Sequence, residues 1–187
     1  MIIKNTSDRH NIIIMDFDFS YHDTQYLTHG FHPYPARMIP QIAKTLISEY
    51  SKPDSLVFDP FCGTGTTLVE AKLYKLHSIG FELNPLARLI AKVKTTSIEE
   101  HTLKLYLRDF HDYLFEIIYK QQSREITIPK YLNIDYWLSK NVQQDLSLIR
   151  RYINNHIDNS SVKDFFFVAF SLVIRQCSWT RNEEFKL

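Results

Sequence analysis

Glycine is scarce in this chain. Its 187 residues hold four, Gly30, Gly63, Gly65 and Gly80, and none follows Gly80. Backbone freedom is therefore concentrated in one region. Cysteine is scarcer still: Cys62 and Cys177 stand alone, which excludes a disulfide framework and points to a reducing compartment. No apolar run approaches the length of a membrane span, and the start, Met-Ile-Ile-Lys-Asn, lacks the apolar stretch of a signal peptide. Neither sign of charge is in excess, since 22 Lys and Arg against 21 Asp and Glu leave a net +1. Any nucleic-acid contact must then come from local patches or from a partner. There is no internal repeat or low-complexity tract. What remains is a cytoplasmic globular protein without a membrane segment, 44% hydrophobic and long enough for one domain with a real core.

The informative stretch runs from Leu56 to Thr67. Leu56, Val57 and Phe58 read as a short apolar strand ending at Asp59, followed by a turn through Gly63 and Gly65 and the helical pattern Leu68-Val69-Glu70-Ala71. A strand, a glycine turn and a helix start form a ligand-facing corner of an α/β sheet. Gly63 and Gly65 are expected to leave room for a ligand against the backbone, and Thr66 and Thr67 to cap the helix. A phosphate-cradling loop would carry Lys where Thr66 stands, and a nicotinamide fingerprint would carry a third glycine where Leu68 stands. A second strand, His77 to Phe81, ends in Glu82, at the distance where an acid reaches ribose hydroxyls in a βαβ unit. An acidic turn without a phosphate-binding cation favours a nucleoside carrying an ammonium group. S-adenosyl-L-methionine fits that description.

Ile12 to Phe19 reads as a strand or extended arm, with Asp16 and Asp18 as solvent-facing carboxylates or a metal pair lacking a third ligand. Tyr21 to Pro35 is loop. His29 and His32 there suggest zinc, but no Cys or acid completes a site, so no metal is assigned. Ala36 to Tyr50 is predicted helical, with Met38, Ile42, Leu46 and Ile47 on its apolar face. Further helices are expected over Thr67–Leu76, Leu86–Val93, Glu99–Gln122, Ser139–Ile157 and Val162–Trp179. Asn84-Pro85 is a helix start, and Glu125 to Ile128 a short extended piece. The run Phe165 to Phe170 is apolar nearly all round and should be buried. Arg150, Arg151, Lys163, Arg175 and Arg181 suit a solvated face or a phosphate contact. Tyr136-Trp137 suits core packing or base stacking.

Asp59-Pro-Phe-Cys-Gly-Thr-Gly-Thr-Thr67 resembles the cofactor motif of the DNA amino-methyltransferases, which methylate the exocyclic amine of adenine or cytosine. Phe31-His-Pro-Tyr-Pro-Ala-Arg-Met-Ile-Pro40 resembles the segment that precedes it in that family, and Gly80-Phe-Glu-Leu-Asn-Pro-Leu-Ala87 its acidic second motif. The resemblance covers residues 28–96 and implies an α/β fold, a partial Rossmann-like sheet of parallel strands with flanking helices, followed by a mostly helical part. Residues 1–30 would be an arm and loop, 31–96 the cofactor-binding core, and 97–187 the helical region. It also implies site roles. Asp59, Pro60, Phe61, Cys62, Gly63, Thr64, Gly65, Thr66 and Thr67 would form the cofactor turn, Asp59 meeting the ammonium. Glu82 would hold the ribose, with Leu83 and Asn84 beside the adenine. His32, Tyr34 and Pro35 would cover the methionine end.

One family element is missing. An exocyclic amine is a poor nucleophile because its lone pair is delocalised into the ring. The family positions it with an (Asp/Asn/Ser)-Pro-Pro-aromatic loop. This sequence contains no Pro-Pro pair, and neither Asp59-Pro60-Phe61 nor Asn84-Pro85-Leu86 replaces it. No catalytic residue is therefore assigned. The expectation is a split or truncated enzyme whose Pro-Pro loop comes from a second methyltransferase chain, with DNA as substrate; the open sheet edge could alternatively self-associate. Two other readings stay open: a fragment of a tRNA guanine methyltransferase, some of which carry a similar Asp-Pro-Phe-Cys-Gly-Thr-Gly turn, and a non-catalytic remnant that only packs against a partner.

Overall fold

The computed structural model describes residues 18–35, 37–120 and 126–179. The arm expected over Ile12–Phe19 lies almost wholly outside them. Strands β1 (Leu56–Asp59) and β2 (His77–Gly80) pair in parallel, Leu56 opposite His77 and Asp59 opposite Gly80. They are the whole sheet among the described residues. Helix α2 (Thr66–Leu73) makes the crossover between them. It stops three residues earlier than its apolar pattern suggests. Lys75 adopts a left-handed φ of 58°, its N–H bonds to Lys72 O, and Leu76 N–H bonds to Ala71 O at 2.9 Å. This is the double hydrogen bond of a Schellman cap, made here without glycine.

Helix α1 (Pro40–Tyr50) precedes β1 and begins at a proline, whose missing N–H costs nothing in a first turn. Its buried face is Pro40, Gln41, Ala43 and Ile47, whereas Met38 precedes the helix and Leu46 is exposed. The expected Met38/Leu46 face is therefore wrong. α1 packs on α2, and Gln41 Nε2 donates to Asp23 O. Helix α3 (Pro85–Thr95) starts as expected: Asn84 Oδ1 accepts from the N–H groups of Leu86 (2.9 Å) and Ala87 (3.3 Å).

The remainder is helical: α4 (Glu100–Lys120), α5 (Ile134–Trp137), α6 (Lys140–His156) and α7 (Ser160–Cys177). Residues 126–130 form neither a helix nor a paired strand, and Glu125, where the expected extended piece begins, lies outside the described residues. Tyr113, Tyr152, Ile153, Ile157, Val162 and Phe166 make one core, and Ile90, Val93 and Val168 a second. Phe165 packs against both. α7 thus lies between α3 and α6, which explains a helix with no exposed residue from Ser161 to Arg175. The buried Tyr152 hydroxyl is satisfied by Asp109 Oδ2 at 2.8 Å.

Candidate functional site

The corner after β1 is built by its own backbone. Asp59 O accepts from Phe81 N–H at 2.9 Å, and Phe81 O accepts from Cys62 N–H at 3.0 Å, so the turn is laced to the end of β2. Asp59 Oδ1 accepts from Phe61 N–H at 3.0 Å, which folds the carboxylate over the turn. Gly63 and Gly65 both have left-handed φ, 51° and 80°. Their surroundings differ. A Cβ on Gly63 would meet nothing within 4 Å, as expected of a residue left bare toward a ligand. A Cβ on Gly65 would lie 2.8 Å from Ala91 Cβ, so Gly65 serves the packing of the turn on α3 and leaves no room for a ligand. Thr66 and Thr67 do not cap α2. Gly65 is the N-cap, and no side chain hydrogen-bonds there.

A cavity of about 190 Å³ opens on this corner, lined by Asp59, Phe61, Cys62, Gly63, Thr64 and Thr66 on one side and Tyr34, Arg37 and Met38 on the other. A second cavity of about 310 Å³ adjoins it, sharing Tyr34, Arg37, Met38 and Thr66. The upstream segment and the glycine turn therefore meet across one space. Burial, with the nearby Asp59 and Glu82 carboxylates, pushes the Cys62 thiol up, so it stays protonated at neutral pH. Glu82, half-buried two residues past β2, accepts Asn84 N–H on Oε1 at 2.7 Å. Leu83 is 98% exposed, leaving this flank open to solvent.

The remaining predicted residues take other places. His32 does not line the cavity. It is buried with Nε2 on Ser171 Oγ at 3.1 Å, tying the loop to α7; burial, then the Arg175 and Arg37 charges, lowers its pKa. Pro35, Pro60 and Thr67 are likewise absent from the cavity wall, and the Asn84 side chain is engaged in capping α3. His29 and His32 turn to different partners, so they do not converge on one ion. No cluster of three potential metal ligands exists among the described residues.

Sequence reasoning missed what holds the loop down. Glu70 of α2, 1% exposed, accepts on Oε1 from the Tyr26 hydroxyl (2.5 Å) and from His29 Nε2 (2.7 Å). Burial and the Glu70 hydrogen bond raise the Tyr26 pKa, keeping it a donor. Arg37 donates to His29 O and Thr28 Oγ1 to Lys94 O. A carboxylate inside the otherwise apolar run Leu68–Ala71 was the available signal, because a buried acid demands partners. Arg37 lies inside the Phe31–Pro40 motif, where nothing in its neighbours marks it for the cavity wall.

The comparisons agree with this geometry. Residues 5–93 match the family described as DNA methylase. The Type II methyltransferase M.MvaI of Kocuria varians is 40% identical over 171 residues, covering 88% of this chain and 37% of its own length. The Type II methyltransferase M.MjaII of Methanocaldococcus jannaschii is 37% identical over 81 residues, 43% of this chain and 15% of that protein. A tRNA (guanine(10)-N2)-dimethyltransferase of the same organism is 27% identical over 141 residues, covering 70% of this chain and 39% of its own length. This chain thus spans well under half of each of these relatives. No solved structure matches it. With the acid-flanked glycine turn, the upstream segment facing it and the second acidic strand end all in place, residues 5–93 of this chain belong to the DNA amino-methyltransferase family.

Proposed function

We propose that these residues are the cofactor-holding part of an enzyme that methylates the exocyclic amine of cytosine or adenine in DNA, within a restriction–modification system. S-adenosyl-L-methionine, when bound, supplies an electrophilic methyl group on a sulfonium. The observation that carries this reading is the cavity shared by Tyr34, Arg37 and Met38 with Asp59, Phe61, Cys62, Gly63, Thr64 and Thr66, roofed by no side chain at Gly63. Its size suits the methionine end of the cofactor, with the adenosine lying outward past Leu83. Arg37, the cation on the cavity wall, is assigned the methionine carboxylate. The Asp59 carboxylate faces the ammonium, and Glu82 takes the ribose hydroxyls. The Cys62 thiol, held protonated, is a wall and not a nucleophile.

Orienting a weakly nucleophilic amine requires acceptors and a stacking ring, and no Pro-Pro-aromatic step exists in this sequence to provide them. A further methyltransferase segment, in the same or a second polypeptide, supplies that loop, and DNA binds the assembled pair. Titration calorimetry of the chain with S-adenosyl-L-methionine tests the first part. Binding that falls about thirtyfold in Glu82→Ala supports it, as expected for lost charged hydrogen bonds worth about 2 kcal/mol. No binding, alone or with a partner, favours a non-catalytic remnant. The similarity to a tRNA dimethyltransferase motivates a second reading with RNA as substrate. Transfer of tritiated methyl to duplex DNA or to tRNA by the assembled pair separates the two.

A further inference from the structure

The half-buried Arg37 lies on the wall of both cavities beside the glycine corner, yet among the described residues no carboxylate pairs with it. Its charge is felt instead by His32 and Lys94, whose pKa values it helps to lower. A partly desolvated cation without an acid is costly until an anion pairs with it. Arginine is also long and rich in rotamers, so a guanidinium meant for one anionic group has to be held in place. Among the described residues one hydrogen bond holds this one: Nη1 donates to the main-chain carbonyl of His29. That carbonyl is fixed in turn. His29 opens a single tight helical turn, His29–Phe31, and its ring, 2% exposed, is anchored by Nε2 on Glu70 Oε1 at 2.7 Å. The Tyr26 ring stands edge-on to the imidazole, with centroids 4.8 Å apart. Glu70 lies one turn along α2 from Thr66, on the same helix face, and Thr66 lines the cavity. A circuit therefore closes: from Thr66 down α2 to Glu70, across to His29, through its carbonyl to Arg37, and back to the cavity on the opposite wall.

We propose that His29, anchored by Glu70, is a positioning residue that aims Arg37 at the carboxylate of S-adenosyl-L-methionine and so makes the chain select that cofactor over its decarboxylated analogue. This role rests on the cofactor reading above and on the assignment of Arg37 to the carboxylate. The loop has ties of its own besides His29. Tyr26 reaches Glu70 at 2.5 Å, and Thr28 Oγ1 reaches Lys94 O at 3.2 Å. Those bonds hold the segment whatever side chain residue 29 carries, so the His29–Glu70 bond has a narrower use: it fixes the acceptor of Arg37. One N–H on that carbonyl leaves the other guanidinium N–H groups for a ligand, and their planar fork matches a carboxylate. The decarboxylated analogue keeps the sulfonium, the ammonium and the adenosine, and lacks the one group that Arg37 would meet.

Titration calorimetry of the chain with both compounds tests this. The unaltered chain should bind S-adenosyl-L-methionine about tenfold or more tightly than the analogue, as expected of a charged hydrogen-bonded pair, and Arg37→Met should abolish the preference. His29→Leu should cut the preference by about fivefold or more while leaving affinity for the analogue nearly unchanged. His29→Gln, which keeps a donor at the reach of Nε2, should retain it. Added to Arg37→Met, His29→Leu should cause no further loss of S-adenosyl-L-methionine affinity, because two residues acting in series are not additive. Should His29→Leu fail to fold, His29→Asn, too short to reach Glu70, is read in its place. Equal weakening toward both compounds would make His29 a tie of the loop and nothing more, and overturns the positioning role. So does an additive loss in the double variant, or a preference that survives His29→Leu. An unaltered chain that binds both compounds equally well overturns the role through Arg37 and leaves the cofactor reading standing. An unaltered chain that binds neither overturns both.

Discussion

Gly63 and Gly65 are separated by one residue and share a left-handed backbone, yet a methyl group added at each would have different consequences. At Gly65 it collides with Ala91 as well as straining φ, so Gly65→Ala should lower stability by about 2–4 kcal/mol in urea titration. At Gly63 nothing stands in the way. Gly63→Ala should cost only about 1 kcal/mol of stability but reduce S-adenosyl-L-methionine affinity far more, by calorimetry. Lys94 gives a prediction in pH. Burial, aided by the nearby Arg37 charge, pulls its ammonium down to about 8. Above that pH the folded chain has released a proton that the unfolded chain keeps until about pH 10.4, so this lysine makes stability rise with pH. Cys62 acts oppositely above its ordinary range because its thiol is pushed up. Comparing the native chain with Lys94→Met between pH 8 and 9 isolates the lysine. The native chain should gain roughly 0.5–1 kcal/mol relative to the variant, read from urea midpoints.

Among the elements, α2 joins the corner to the loop. Its first turn supplies Thr66 to the cavity, and Glu70 accepts hydrogen bonds from Tyr26 and His29. Removing that carboxylate leaves the buried His29 and the half-buried Tyr26 hydroxyl without their acceptor. Glu70→Ala should therefore destabilise by about 2–5 kcal/mol. It should also release residues 24–35, detected as faster hydrogen exchange there than in α6. Because Tyr34 and Arg37 follow that loop, cofactor affinity should fall with it. Helix α7 has the corresponding role on the far side, with Ser171 accepting from His32 while Val168 and Phe165 meet α3 and the loop.

Across the whole molecule, α7 makes one folding unit of the glycine corner and the helical part. Phe166 belongs to one core, Val168 to the other, and Phe165 to both. Both tryptophans, Trp137 and Trp179, lie in the helical part, whereas Cys62 is buried in the corner. In a Cys177→Ser background, labelling of Cys62 and tryptophan fluorescence should therefore show the same urea midpoint. Separate midpoints would mean that α7 does not couple the two cores. Phe166→Ala should shift both together by about 3–5 kcal/mol.

Local chemistry in the sequence was enough to place the corner. A strand, an acid, two left-handed glycines, a helix start and a second strand ending in an acid depend on neighbours a few residues away. The helices followed from their apolar spacing, and Asn84-Pro85 marked its cap correctly. Tertiary structure alone decided the rest. Whether a glycine faces a ligand or Ala91, whether His32 covers a cavity or anchors α7, and which partners satisfy Glu70 depend on contacts between residues far apart in the chain. It likewise decided that Leu56, Phe58, Ile79 and Phe81 share one bare face, because a strand's alternation says which side chains go together but not which side its helix will cover.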